Sequence, residues 1–561
     1  MNGLTLVVLA IVLFVCAYCF YGRWLVKTWG IDPNAVTPAR RFENGKDFVP
    51  ASKFTVFAHQ FSAICGAGPV TGPIIAAMFG WLPALLWLLI GGIFFGAVQD
   101  FTALYASVKN DGMSMGMLIE KYVGRTGGKL FLAFCWLFSL LVIAAFSDIM
   151  ATTFNGFGKD GQMMAPNAAA ASISMLYVFV AMIFGVILKK TKLSGWKELA
   201  LAIVFIVAMI AGGIAYPVYA DRVTWLYVTY GYCFLASILP MWLLIQPRDY
   251  LSVFLLLGMI LAGVVGVIVG NPTLNMPAVT GFTVANKPMF PILFITIACG
   301  AVSGFHSLVS SGTSSKSISN EKDMLTVGYG SMLIESTLGV VCLVIACSAA
   351  TNGVLPKASP FAIFGTAIGG YFKMFGIPPV VSSAIVTMCV SALAMTTIDA
   401  VTRIGRMTLQ EFFAPKPGEE RKGFAKFISN PYVATIVTLI PSYLLCLGGY
   451  MNIWPLFGSA NQLIASLVLI GLAVFLKVTG RKGWMLYAPM AFMFVATMTA
   501  LVMHVYGIFV KLGAGKFNPL VEGLQLIVAI LLMVLAVLIV KTCLKELLAP
   551  RTTGRKATPA D

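Results

Sequence analysis

Runs of about 20 apolar residues recur from one end of this chain to the other, and that is the length at which an α-helix crosses a bilayer. In hydrocarbon a backbone has no water to bond, so a run of this length must satisfy its own N–H and C=O groups as a helix. The opening MNGLTLVVLAIVLFVCAYCFYGRW has no basic stretch ahead of its apolar core and no A-x-A site after it. It reads as a retained first helix and not as a removable signal. Sliding along the chain places about fifteen spans, the first near 3–26 and the last near 522–545. The expected class is an all-α polytopic membrane protein. Composition agrees, with 59% hydrophobic and 11% charged residues against about 25% charged in soluble domains.

The formal net charge of +17 suggests a nucleic-acid partner until the basic residues are located. They fall mostly in alternate connections and in the tail: Lys189, Lys190, Lys192 and Lys197; Arg403, Arg406, Lys416, Arg421, Lys422 and Lys426; Arg551, Arg555 and Lys556. The positive-inside rule then puts the N-terminus outside and the C-terminus in the cytoplasm. The partners expected are the lipid bilayer and a small molecule, with no nucleic acid. The stretches 111–123 and 360–375 are too short to span and read as interfacial or re-entrant helices. The eleven cysteines lie in or at the end of apolar runs, so no disulfide framework is implied. Cys16 and Cys19 form a CxxC without a second ligand pair, and neither metal nor cofactor is expected.

Two spans carry more than apolar filler. The first, HQFSAICGAGPVTGPIIAAMFGW (59–81), places Gly66, Gly68, Pro69, Gly72 and Pro73 in mid-span, with Ala67 among them. Glycine costs about 1 kcal/mol and proline about 3 kcal/mol in a helix interior, so a break is expected over 65–70. The second, FITIACGAVSGFHSLVSSGTSSK (294–316), carries Gly300, Ser303, Gly304 and Gly312 and should break over 300–304. Both contain Cys-Gly-Ala, at Cys65–Ala67 and Cys299–Ala301. The second lies seven spans after the first, and an odd separation reverses its direction through the membrane. Paired broken helices in inverted halves mark a transporter's substrate site. The alternative is that these glycines only let helices pack closely.

The runs HQFSAICGAGPVTGP, GAVQDF (96–101), ACGAVSGFHSLVSSGT, NEKDMLTVGYGSMLIES (320–336), TTIDAVTRIGR (396–406) and FGSANQLIA (457–465) resemble the carbon starvation protein A (CstA) family of bacterial inner-membrane transporters. The resemblance covers roughly residues 1–545. It implies a LeuT-like 5+5 inverted repeat with peripheral helices, and uptake of peptides or of pyruvate driven by a proton gradient. On that plan 1–53 is a peripheral helix and cytoplasmic loop, and 54–220 the first repeat. Then come an inserted helix pair with an outer loop (221–288), the second repeat (289–476), peripheral helices (477–545) and a cytoplasmic tail (546–561).

A carboxylate at the bilayer centre costs roughly 2.5–3.5 kcal/mol and needs a reason. Asp100 and Asp399 lie near cytoplasmic ends, where Asp399 could pair with Arg403. Asp148 and Glu335 have no basic neighbour one turn away, and His306 sits beside the second break. Glu335 with His306 leads as the ion-coupling group, with Asp148 and Asp100 behind it. Asn461 and Gln462 bind either substrate or neighbouring helices; His59 stays open and His504 reads as structural. Apart from Arg23, Lys129, Lys541 and Lys545 near span ends, no Lys or Arg falls inside a placed span, so a substrate carboxylate must be held by N–H groups at half-helix N-termini, Gly66–Pro69 and Gly300–Gly304 being the candidates. The coupling ion is a proton or sodium; Thr396 and Thr397 could serve sodium, although such pairs usually bond their own backbone. An intramembrane hydrolase built on Ser303 and His306 would need a signature such as GxSG or HExxH, and neither occurs. Nor is there a P-loop, and a channel would show filter-like repeats or rings of one charge.

Overall fold

A computed structural model describes residues 2–549 apart from 46, 159–160, 192–194, 241, 359, 375 and 416–421. Lys192, Lys416, Arg421, Arg551, Arg555 and Lys556 of the basic clusters lie outside the described residues. The helices in chain order are α1 (Gly3–Trp29), α2 (Lys53–Ile64), α3 (Gly68–Ala76), α4 (Trp81–Val108), α5 (Met115–Val123), α6 (Arg125–Phe154) and α7 (Ala165–Thr191). They continue as α8 (Trp196–Ala215), α9 (Arg222–Ile238), α10 (Ile245–Gly270), α11 (Met289–Thr296), α12 (Gly304–Gly312) and α13 (Glu321–Ala349). The last six are α14 (Pro360–Met374), α15 (Pro379–Phe412), α16 (Pro431–Cys446), α17 (Tyr450–Val478), α18 (Trp484–Gly513) and α19 (Pro519–Leu548). Starts are encoded locally: Ser52 caps α2, Ser114 caps α5 and Asp221 caps α9, each accepting a backbone N–H.

Among the described residues ten helices are long and apolar enough to cross a membrane, or eleven when α2 and α3 count as one span bent by 46°. That is fewer than the fifteen expected. The shortfall falls on α9, at 17 residues, on α11 with α12, on α15 and on α16. The short stretches expected at 111–123 and 360–375 form α5, of 9 residues, and α14, of 15.

Burial separates core from periphery. The most apolar part of α17 is 100% buried and those of α6 and α13 are 78% buried, against 17% for α8, 28% for α1 and 33% for α18 and α19. Outer helices turn Phe20, Phe179, Val207 and Ile527 outward, as a surface against lipid requires. Among the described residues four helices contain a π-turn: Ala17–Gly22 in α1, Gly91–Gly96 in α4, Leu325–Gly330 in α13 and Pro519–Gly523 in α19.

Both expected breaks are present. The first covers 65–67, and Gly68 and Pro69 already belong to the first turn of α3, where proline's missing N–H has no partner to lose. The second is longer, covering 297–303. The two touch. A methyl group built on Gly68 would lie 2.7 Å from Cys299 Cβ, and one on Gly72 2.5 Å from Thr296 O. Neither Gly68 nor Gly304 has a positive φ, so their glycine requirement is steric.

Candidate functional site

Breaking a helix inside a membrane protein leaves carbonyls and N–H groups that something must satisfy. Side chains from α17 and α4 do so here. Asn461 Oδ1 accepts the Phe305 N–H at 3.1 Å, capping α12, and Asn461 also bonds the Ser303 hydroxyl. Gln462 Nε2 donates to the Phe294 and Ile297 carbonyls at the end of α11, and Trp87 Nε1 donates to Ile297 O at 3.2 Å. Gln99 Nε2 reaches Ser303 O and Ser307 Oγ, each at 2.6 Å. Asn461 and Gln462 therefore hold the second break together. Gln99 was not singled out beforehand, although an amide beside Asp100 in an apolar run was a visible signal.

Glycine lets the helices close around these segments. The Gly96 face of α4 meets Ala301 O, a methyl on Gly458 would lie 2.9 Å from Ile295 O, and one on Gly66 would lie 2.6 Å from Thr397 Oγ1. The N-termini of α3 and α12, at Gly68 and Gly304, both lie at the breaks. Their dipoles present positive ends there.

Against α12 lies a chain of ionisable groups. His306 Nδ1 is 3.0 Å from Asp100 Oδ2 and His306 Nε2 is 3.4 Å from Glu335 Oε2, with all three residues 0% exposed. A carboxylate only accepts, so Nδ1 donates to Asp100. Neither Glu335 oxygen has a hydrogen-bond partner among the described residues, nor has His306 Nε2 or Asp100 Oδ1. Asp100 and Glu335 each stand a few residues after a π-turn, in α4 and α13 respectively. Such turns recur at functional sites. No Lys or Arg is paired with Asp100 or Glu335 among the described residues, so the buried group avoids net negative charge only by holding protons of its own. Cys299 Sγ, His306 Nε2 and a Glu335 oxygen lie within 4.8 Å of one another, the one such grouping among the described residues. Three donors fall one short of the four that close a structural zinc site.

The remaining acids are engaged elsewhere. Asp148 accepts from Arg222 Nε at 2.8 Å and from the Tyr450 N–H at 2.7 Å, which ties α9 and the start of α17 to the end of α6. Asp399 does not pair with Arg403, whose guanidinium bonds the Ala236 and Leu239 carbonyls. It pairs with Arg248 and accepts from the Tyr232 hydroxyl at 2.5 Å. Arg248 overturns the expectation that bases stay out of the buried part of the spans: it sits in the first turn of α10 and is 0% exposed. Hydropathy leaves Gln-Pro-Arg-Asp (246–249) between two apolar runs, as a connection. His59, left open, bonds Asp249 and Thr313, while His504 Nε2 has no partner among the described residues.

A family model described as carbon starvation protein CstA matches residues 2–354 and 348–500. The chain belongs to the CstA family. Its relatives include the peptide transporter CstA of Escherichia coli (strain K12), 32% identical over 100% of this chain and 93% of the relative. The peptide transporter CstA of Bacillus subtilis (strain 168) is 32% identical over 96% and 97%. The pyruvate/proton symporter BtsT of Escherichia coli (strain K12) is 29% identical over 93% and 83%. A solved manganese transporter mutant from Eremococcus coleocola aligns with 89% of this chain and 98% of its own, at 11% identity and a TM-score of 0.47. By its family and its ten apolar helices among the described residues, the chain is a helical, multi-pass membrane transporter.

Proposed function

We propose that the chain is a secondary active transporter that imports peptides or small carboxylates such as pyruvate with protons, across the bacterial cytoplasmic membrane, in the response to carbon starvation. The observation that carries this reading is the Asp100–His306–Glu335 chain packed against the second break. A substrate carboxylate would be received by the N–H groups at the starts of α3 and α12, with Gly66–Pro69, Gly300, Ser303 and Gly304 lining its place. Asn461 and Gln462 hold that place open instead of supplying charge. Glu335 would carry the coupled proton, with His306 as relay and Asp100 as its counter-charge. A proton suits this site better than sodium, which needs several oxygens where an imidazole is offered. Asp148, bound by Arg222 and the Tyr450 N–H, serves packing on this reading.

Element order supports an inverted repeat over 54–220 and 289–476. In each half a broken helix is followed by a long helix with a π-turn, a short helix and a second long helix: α2–α3, α4, α5, α6, then α11–α12, α13, α14, α15. Counting α2–α3, α9, α11–α12, α15 and α16 as crossings gives the fifteen spans, N-terminus outside and C-terminus inside. The test is uptake of labelled pyruvate and dipeptides into proteoliposomes under imposed proton or sodium gradients. Glu335→Gln should abolish proton-driven accumulation of whichever substrate the wild type takes. Unchanged accumulation and pH profile would remove Glu335 from coupling.

A further inference from the structure

The second break gathers three metal-ligating side chains of different chemistry. Cys299 lies in the break itself, His306 in the first turn of α12 and Glu335 in α13, all three buried. His306 Nε2 stands 3.4 Å from Glu335 Oε2, and Cys299 Sγ lies within 4.8 Å of both donor groups. Nε2 and the two Glu335 oxygens have no hydrogen-bond partner among the described residues. Unpaired buried polar atoms are costly, and one ligand bound by all of them would satisfy them together.

The spacing is that of a tetrahedral transition-metal ion. Zinc binds an imidazole nitrogen or a carboxylate oxygen at about 2.1 Å, which sets two such donors about 3.4 Å apart. His306 Nε2 and Glu335 Oε2 have that separation. A thiolate bound at about 2.3 Å stands about 3.6 Å from its fellow donors. From a limit of 4.8 Å, Cys299 has at most about 1.2 Å to close, in a stretch whose backbone is not helical. The surroundings agree. A ligating histidine donates its other ring N–H to a carboxylate or carbonyl, which fixes the ring, and His306 Nδ1 is 3.0 Å from Asp100 Oδ2. The ring nitrogen left for an ion is Nε2. Asn461 Nδ2 donates to Cys299 Sγ at 3.7 Å, a bond that strengthens when the sulfur is charged. Positions 299, 306 and 335 have no zinc-motif spacing, so only the packing of α12 against α13 discloses the cluster.

We propose that Cys299, His306 and Glu335 form a binding site for a divalent transition-metal ion of the zinc class. Thiolate and imidazole select such an ion over magnesium or calcium, which take oxygen donors. On binding, the Cys299 thiol releases its proton to water. The thiolate and the Glu335 carboxylate then balance the two charges of the ion. Three protein donors leave the fourth position open, as in zinc sites that hold an exchangeable water or a substrate group. The inference shares His306 and Glu335 with the proton path but does not rest on it, because binding is measured with neither gradient nor substrate.

Cobalt(II), which takes the same ligands as zinc and absorbs visible light, is the probe. His306 and Glu335 are 0% exposed, so the breaks must part to admit an ion. Purified, thiol-reduced protein is therefore equilibrated with cobalt in detergent until the spectrum is constant. The wild type should develop the strong visible bands of a tetrahedral ion and a near-ultraviolet sulfur-to-cobalt band, and zinc should displace both. Cys299→Ser, nearly the same size, should lose the sulfur band while keeping the wild-type unfolding midpoint. Asp100→Asn leaves all three donors in place and should weaken binding by about 10–100-fold, as loss of a ligand's support does. His306→Gln should weaken it further. Cys16→Ser with Cys19→Ser, which removes the CxxC outside the site, should leave the bands intact. No sulfur band in the wild type, or an undiminished one in Cys299→Ser, overturns the proposal. If the bands behave as expected while zinc leaves proton-driven uptake untouched, the metal site stands and coupling through Glu335 fails.

Discussion

Replacing Arg248 with methionine should be among the most damaging single changes available to this fold. The methionine fills much of the same volume but leaves Asp249 and Asp399, both buried, facing each other's charge without the guanidinium that joins them. Breaking a buried pair by removing one partner costs about 3–5 kcal/mol. That is on the order of a thousandfold in the unfolding equilibrium, at about 1.4 kcal/mol per tenfold. Adding Asp399→Asn removes one of the two carboxylates left without the guanidinium and keeps the Tyr232 hydroxyl bonded to the new amide oxygen. The double variant should therefore recover about 2–3 kcal/mol relative to the sum of the singles, the upper part of the range for residues in contact. Equilibrium unfolding of purified protein in bicelles, followed by tryptophan fluorescence, measures all four corners of the cycle. Additivity to within about 0.5 kcal/mol would mean that the two residues do not share a charge, and the cluster as described would be wrong.

Gly304→Ala should destabilise by about 1–3 kcal/mol through overpacking, because the new methyl would sit 2.5 Å from Ala465 N; Gly312→Ala, with nothing within 4 Å, is the matched control in a thermal-shift assay. Gly68→Ala should behave like Gly304→Ala, and wild-type stability in both would show that the breaks do not pack as tightly as described. Gln462→Leu removes the donor to Phe294 O and should cost about 1–3 kcal/mol for the unsatisfied carbonyl, seen as a lower unfolding midpoint. Glu335→Gln should leave that midpoint unchanged or raised, since it replaces a buried acid whose oxygens have no hydrogen-bond partner among the described residues, while abolishing proton-driven uptake. Loss of stability without loss of coupling would assign Glu335 to packing.

Much of this architecture is written locally. Apolar runs of membrane-crossing length have one stable form in lipid, so an all-helical bundle follows from Val, Leu, Ile and Phe alone. The two breaks follow from Gly66–Pro73 and Gly300–Gly304, because backbone entropy and the missing proline donor act at the residue itself. Membrane depth also marks polar side chains one by one, which is why Asp100, His306, Glu335, Asn461 and Gln462 could be singled out. Their pairing could not. His306 joins Asp100, 206 positions earlier, only because α4 and α12 pack side by side, and no spacing along the chain expresses that contact. Span limits failed for a related reason: hydropathy sees Arg248 as a loop residue, whereas Asp249, Asp399 and Tyr232 make it a core residue by neutralising and bonding it from three helices. Glycine's part was also settled in three dimensions. What a hydrogen in place of a methyl permits at Gly68 or Gly304 is set by Cys299 and Ile464, which approach from other segments of the chain.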